Sequence, residues 1–228
     1  MAKGVSTRKQ LLKEPDQFIT FSGKLIAFGR SHFKVLSIIA GCLLALLVIA
    51  ATVYQVSERN EKKASEQIER VLAQYSAALR ESNPTRAHEQ VKSEMNQMLG
   101  TYGSKKALRL IRILYADISY RAGDSDTAIA MYSRALDDFK NEPALKNTLW
   151  SGLGYAHVQK EEYPPAIGYF EMIAAGSEKT LRSDALFNLA WLYEATGEME
   201  KSRDLYRQLQ AEFPNMIYNE LVREKISG

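Results

Sequence analysis

The side chains with most chemistry to offer are three histidines, His32, His88 and His157, and they are scattered along the chain. Two imidazoles one helical turn apart, with a glutamate between them, would hold zinc and a general base. No H-E-x-x-H stretch supplies that arrangement, and neither a phosphate loop nor a nucleophile elbow occurs. Gly100 and Gly103 flank only Thr101 and Tyr102, too little backbone to cradle a phosphate. Carboxylates are numerous, but their distribution is that of solvated helix surfaces. The expectation is a chain that is not an enzyme, with no cofactor, no metal site and no small-molecule substrate.

What recurs instead is an alternation of small and large residues. The stretch NLAWLYEATGEMEKSRDLYRQLQAEFP, from Asn188 to Pro214, reads as a helix, a short turn at Gly197 and a second helix. Ala128, Ala166 and Ser202 lie 38 and 36 residues apart, and the same residue classes return around each. The middle copy has Trp150, Leu153, Gly154, His157, Ala166, Phe170 and Ile173. The last has Leu186, Leu189, Ala190, Tyr193, Ser202, Tyr206, Leu209 and Pro214. The first is weaker, with Tyr115, Ala116, Gly123, Ala128, Tyr132 and Ala135. Two antiparallel helices approach closely only where one face is small, so Gly154 with Ala166, and Ala190 with Ser202, mark the contact points. The polar segments GDSDT, KEEYP and GEMEK are short enough for hairpin turns. The extra length of each copy fits the connections near 138–146 and 176–182.

These copies resemble the tetratricopeptide repeat, with its pattern W-x2-L-G-x2-Y, then A-x3-F, then P. The middle copy supplies Trp150, Leu153, Gly154, Ala166 and Phe170, with His157 in place of the tyrosine. The last keeps Tyr193 and Pro214. The resemblance implies hairpins that stack into a solenoid, since one hairpin cannot bury its own apolar face. It also implies a concave groove lined by the first helix of each hairpin. Here that lining would be Ile113, Asp117, Tyr120, Ser151, Tyr155, Phe187, Trp191 and Glu194. Such an aromatic-rich surface suits a peptide or a partner helix, with Tyr155 and Trp191 side by side. The bland reading of the same residues is that they pack against the protein's own terminal helices.

The remaining segments flank the repeats. Ala64, Ile68, Val71, Leu72, Tyr75 and Leu79 predict a helix over 58–81, ended by Ser82-Asn83-Pro84. Val91, Met95, Met98 and Leu99 predict a second, ending at Gly100. Beyond the repeats, Asn215 is placed to cap a last helix carrying Ile217, Leu221 and Val222.

Charge points to a membrane. Residues 1–34 hold seven Lys/Arg against two acids, and no charge lies between Val35 and Ser57. That uncharged run, VLSIIAGCLLALLVIAATVYQVS, has its most apolar 20 residues spanning roughly 30 Å, the thickness of a hydrocarbon core. Its length and its long basic head favour an uncleaved anchor over a signal peptide or a buried core helix. The basic excess predicts a cytoplasmic N-terminus, with the rest of the chain in the periplasm of a bacterium. The single Cys42 lies inside the span, so no intramolecular disulfide forms. Residues 58–228 are mildly acidic, which excludes a basic nucleic-acid surface. Asp16 could cap a juxtamembrane helix bearing Phe18, Phe21, Leu25 and Phe28, suited to the cytoplasmic leaflet or to a partner.

The layout is an all-α protein. Residues 1–34 form a basic cytoplasmic head with an amphipathic helix, 35–57 a transmembrane anchor, and 58–104 a membrane-proximal helical pair. Residues 105–228 form about three tetratricopeptide-like hairpins with a capping helix. The layout is similar to that of the YfgM-like ancillary subunits of the Sec translocon, single-pass proteins of the bacterial inner membrane. That resemblance implies a non-enzymatic scaffold whose partners are other proteins, joining periplasmic chaperones to proteins emerging from the translocon. An envelope-assembly or division scaffold would share every one of these features.

Overall fold

The computed structural model describes residues 17–102 and 105–227. Among the described residues ten α-helices and no strands occur, so the fold is all-helical. They divide into two units, Met1–Glu58 and Arg59–Gly228.

In the first unit, α1 (Gln17–Ser31) precedes α2 (Phe33–Glu81), whose residues up to Glu58 belong here. The expected cap Asp16 and the side chains of Phe18 and Phe21 lie outside the described residues. Leu25 and Phe28 are exposed, and Phe28 stacks on His32 with ring centroids 4.5 Å apart. By length and composition α2 can cross a membrane, and its apolar window is wholly exposed. Exposure of so many leucines and isoleucines is costly in water and costless in lipid. The sequence predicts a span over 35–57 and a helix over 58–81, but one helix covers both. No proline interrupts Phe33–Glu81, so nothing removes a backbone donor or forces a break.

In the second unit, the end of α2 is followed by α3 (Pro84–Thr101), α4 (Lys105–Ala122), α5 (Ser125–Asp138) and α6 (Pro143–Gln159). Then come α7 (Tyr163–Ala174), α8 (Lys179–Ala195), α9 (Met199–Glu212) and α10 (Asn219–Ser227). The Asn83 side chain accepts a hydrogen bond from the Arg86 amide at 3.0 Å, and Pro84 occupies the first helical turn, where no donor is missed. Ala64, Val71, Tyr75 and Ala78 of α2 join Ala87, Val91, Met95 and Met98 of α3 in one core. Leu72, expected on that face, is 38% exposed, and Ala78 takes its place. Gly100 does not end α3, which continues through Thr101.

From α3 to α10 each helix packs on the next in sequence. The connection 139–142 falls inside the first window predicted for the extra residues, and 175–178 overlaps the second, starting one residue before it. Gly123 and Gly197 close the turns α4–α5 and α8–α9 with φ of 82° and 84°, a region that costs glycine nothing. At the equivalent turn α6–α7, Glu161 adopts φ 60° without that freedom.

The small residues predicted to mark contact points are buried. Ala128, Ala166 and Ala190 are fully buried and Ser202 nearly so. A Cβ on Gly154 would stand 2.8 Å from Phe170 Cζ. Gly152, which the sequence did not single out, gives the same service between hairpins: a Cβ there would be 2.6 Å from the Tyr132 ring.

The C-terminal cap differs from expectation. Its helix starts at Asn219, and Asn215 lies in the turn before it. The later start shifts the buried face to Tyr218, Val222 and Ile226, all packed on Leu186, Tyr206 and Leu209. Ile217 is fully exposed and Leu221 is 41% exposed.

Candidate functional site

The expected groove residues sit on α4, α6 and α8, the first helices of successive hairpins. Asp117, Tyr155 and Trp191 occupy equivalent positions, as do Ile113, Ser151 and Phe187. Their surroundings differ from hairpin to hairpin.

On α4, Asp117 accepts a hydrogen bond from the Tyr132 hydroxyl of α5. Burial, and after it the Asp117 carboxylate, push the Tyr132 phenol upward, so it stays a donor. Ile113 and Tyr120 are partly buried and lean on the first core. Leu110, one turn before Leu114 on the same helix, is 56% exposed.

On α6, the Tyr155 hydroxyl donates to Asp184 Oδ2 of α8 at 2.6 Å and receives Asn188 Nδ2 at 2.9 Å. The same Asn188 amide donates to the Asp184 carbonyl at 2.8 Å. Burial, then the Asp184 hydrogen bond, raise the Tyr155 phenol. This three-residue network ties two hairpins together. Asp184 and Asn188 lie one turn apart, which is readable in the sequence; that they face Tyr155 needs the stacking register, which is not. Ser151 is half-buried beside it.

On α8, Trp191 is 38% exposed and meets Tyr163 of α7 edge-on, with centroids 6.1 Å apart. Tyr155 instead stands edge-on to Phe170 at 5.2 Å. Each ring thus finds its aromatic partner on α7, and among the described residues no ring contact joins Tyr155 to Trp191.

Two groove residues meet the chain's own C-terminal segment. Phe187 packs 4.9 Å from Tyr218 and 6.0 Å from Tyr206. Glu194 Oε1 pairs with Lys225 Nζ of α10 at 2.6 Å, while its Oε2 is buried without a partner. The self-packing alternative thus describes Phe187 and Glu194, and leaves Trp191 as the exposed large ring of the set.

The two remaining histidines of the second unit have local partners. His157 Nδ1 lies 2.7 Å from Glu162, its ring stacked on Tyr169, and His88 is buried between α3 and α4. Trp150, the motif tryptophan, carries the Lys146 ammonium 4.7 Å from its ring centre. A cleft of about 400 Å³ opens between α7, α8 and α9, floored by Leu186, Leu189 and Leu205. Its cations are paired with acids outside its lining, Lys201 with Glu198 and Arg182 with Glu212. Among the described residues no group of three His, Cys, Asp or Glu stands close enough to hold a metal ion.

Tetratricopeptide-repeat profiles match the chain over residues 116–180 and over residues 184–215. The chain therefore carries tetratricopeptide repeats, which point to a protein–protein interaction scaffold. No curated protein matches it in sequence. Among solved structures, the crystal structure of BtubC (BKLC) from P. vanneervenii is similar, with a TM-score of 0.52 at 16% identity. The alignment covers 73% of this chain and 72% of that one. At that identity the likeness is one of fold.

Proposed function

We propose that this chain is a non-enzymatic, membrane-anchored scaffold that helps the Sec translocon and periplasmic chaperones to handle exported proteins. In this reading α4–α9 form three hairpins, the end of α2 with α3 covers one end, and α10 covers the other. Residues 1–34 are cytoplasmic, 35–57 anchor the chain in the inner membrane, and 58–228 stand in the periplasm. The observation that carries the reading is the joining, in one chain, of a charge-free apolar run behind a basic head to tetratricopeptide repeats. The partner surface is the concave side of α4, α6 and α8. Tyr155, Tyr120 and Asp117 contribute there, and Trp191 is its exposed aromatic anchor.

The test is site-specific photocrosslinking in native membranes from residue 191 and from residue 120. Capture of translocon subunits or chaperones supports the reading. Capture of envelope-assembly or division machinery instead moves the scaffold to that process.

A further inference from the structure

Residues 88, 91, 95 and 98 fall on one face of α3. Three are apolar, as a helix packed on its neighbours requires, and the fourth is His88. It is 1% exposed. Its Nε2 lies 3.3 Å from the hydroxyl of Ser119 on α4, itself fully buried, and its ring is 6.0 Å from that of Tyr115. A neutral imidazole fits this place, since one ring nitrogen finds the serine and the ring packs against apolar neighbours. An imidazolium does not.

The charged groups facing it offer little rescue. On α3 itself, Glu89 Oε1 is 3.7 Å from Nδ1, but that side chain is 61% exposed, so water screens the attraction. Lys92, a turn further on, repels a charged ring and draws Glu89 and Asp124 to itself at 3.3 and 3.6 Å. From α4, Tyr115 contributes a phenol whose own ionisation burial disfavours. From the end of α2, Tyr75 lies in the same core with its hydroxyl buried and unpartnered. Burial first, and Lys92 second, hold His88 below the ordinary value of 6.5, against smaller opposing pulls from Asp124 and Glu89.

We propose that the seam between α3 and α4 is an acid-sensitive joint, in which a proton on His88 loosens the packing of α3 on α4 while α6–α9 stay closed. The proposal does not depend on which protein occupies the concave face. An imidazole kept neutral in the closed seam, yet free to take a proton in the open one, leaves the seam fully stable above pH 6.5. Stability is then lost as pH falls below that value. At pH 5.0 the opening equilibrium rises by at most about thirtyfold, the limit set by 1.5 pH units.

Hydrogen exchange of the full-length chain in detergent, corrected for intrinsic rates, reads this directly. Between pH 7.5 and 5.0, peptides from 84–101 and 105–122 should exchange faster, by up to that thirtyfold, and peptides from 163–174 and 199–212 should not. The His88→Gln chain should lose the pH dependence, and His157→Gln should keep it. NMR titration of the wild-type ring, assigned against Gln variants at His32 and His157, should find His88 protonating below 6.5 even if the His88 variant folds poorly. The idea fails on any of three results. These are a His88 titration at or above 6.5, an acceleration absent or shared equally by α6–α9, and an acceleration unchanged in His88→Gln.

Discussion

Gly154 lies against the ring of Phe170, so close that a Cβ at residue 154 would stand 2.8 Å from Cζ. The two residues come from opposite helices of one hairpin and set how near α6 and α7 approach. Two effects of opposite sign meet in Gly154→Ala. Alanine gains roughly 0.5–1 kcal/mol in a helix interior, whereas overpacking a fully buried ring costs roughly 1–3 kcal/mol. The clash wins, and the full-length chain in detergent should melt at a lower temperature. Gly168→Ala on α7, where a Cβ meets nothing within 4 Å, should raise the melting temperature instead. A stabilised Gly154→Ala chain would refute the close contact.

Ala166→Leu adds bulk at a fully buried position on the face that α7 turns toward α6. A loss of roughly 1–3 kcal/mol is expected, read as an earlier denaturation midpoint. An unchanged midpoint would mean that this face is not packed.

Asn83 is a side-chain cap rather than a mere loop residue. Asn83→Ala should cost about 1 kcal/mol, and Asn83→Asp should cost less, because a carboxylate can accept the Arg86 amide and favours a helix N-terminus. Equal losses in both variants, by thermal melting, would remove the cap from the account.

Trp191→Ala and Tyr155→Ala should part company. Trp191 is partly exposed and its ring contact is a single edge, so its loss should weaken partner capture with little change in stability. An interface anchor can contribute 2 kcal/mol or more, about thirtyfold in affinity. Tyr155 holds Asp184 and Asn188 from another hairpin, so its loss should lower the melting temperature as well. Full capture by the Trp191→Ala chain would exclude α8 from the partner surface.

Topology is tested by fusing a reporter active only outside the cytoplasm after the last residue of the chain. Activity is expected. A reporter that works only in the cytoplasm would overturn both the orientation and the translocon reading.

Much of the fold was legible because helical spacing repeats what packing demands. Ala128, Ala166 and Ser202, each small and each set among large residues, had no use except at a helix contact. The start of α10 was misread because Asn215 is a good cap by residue type, whereas the chain stays in a turn there and the helix begins only at Asn219, next to Tyr218, which packs on Phe187. His88 shares the spacing of Val91 and Met95, but its polarity hid it from a search for apolar stripes. The site was less legible than the fold. Position along a first helix identifies Tyr155 and Trp191 as equivalents, whereas their partners, Asp184 and Tyr163, depend on how one hairpin is set upon the next.

The neighbour-to-neighbour packing from α3 to α10 bears on the history of the molecule as well as its form. Almost everything a helix needs in order to bury its apolar side lies in the helix just delivered or the one about to follow. Closing such short loops costs little entropy, and contacts of this kind form early and fast. A polypeptide so organised can acquire its structure in the order in which it is threaded out, each new hairpin settling on a platform already built, with no distant segment to wait for.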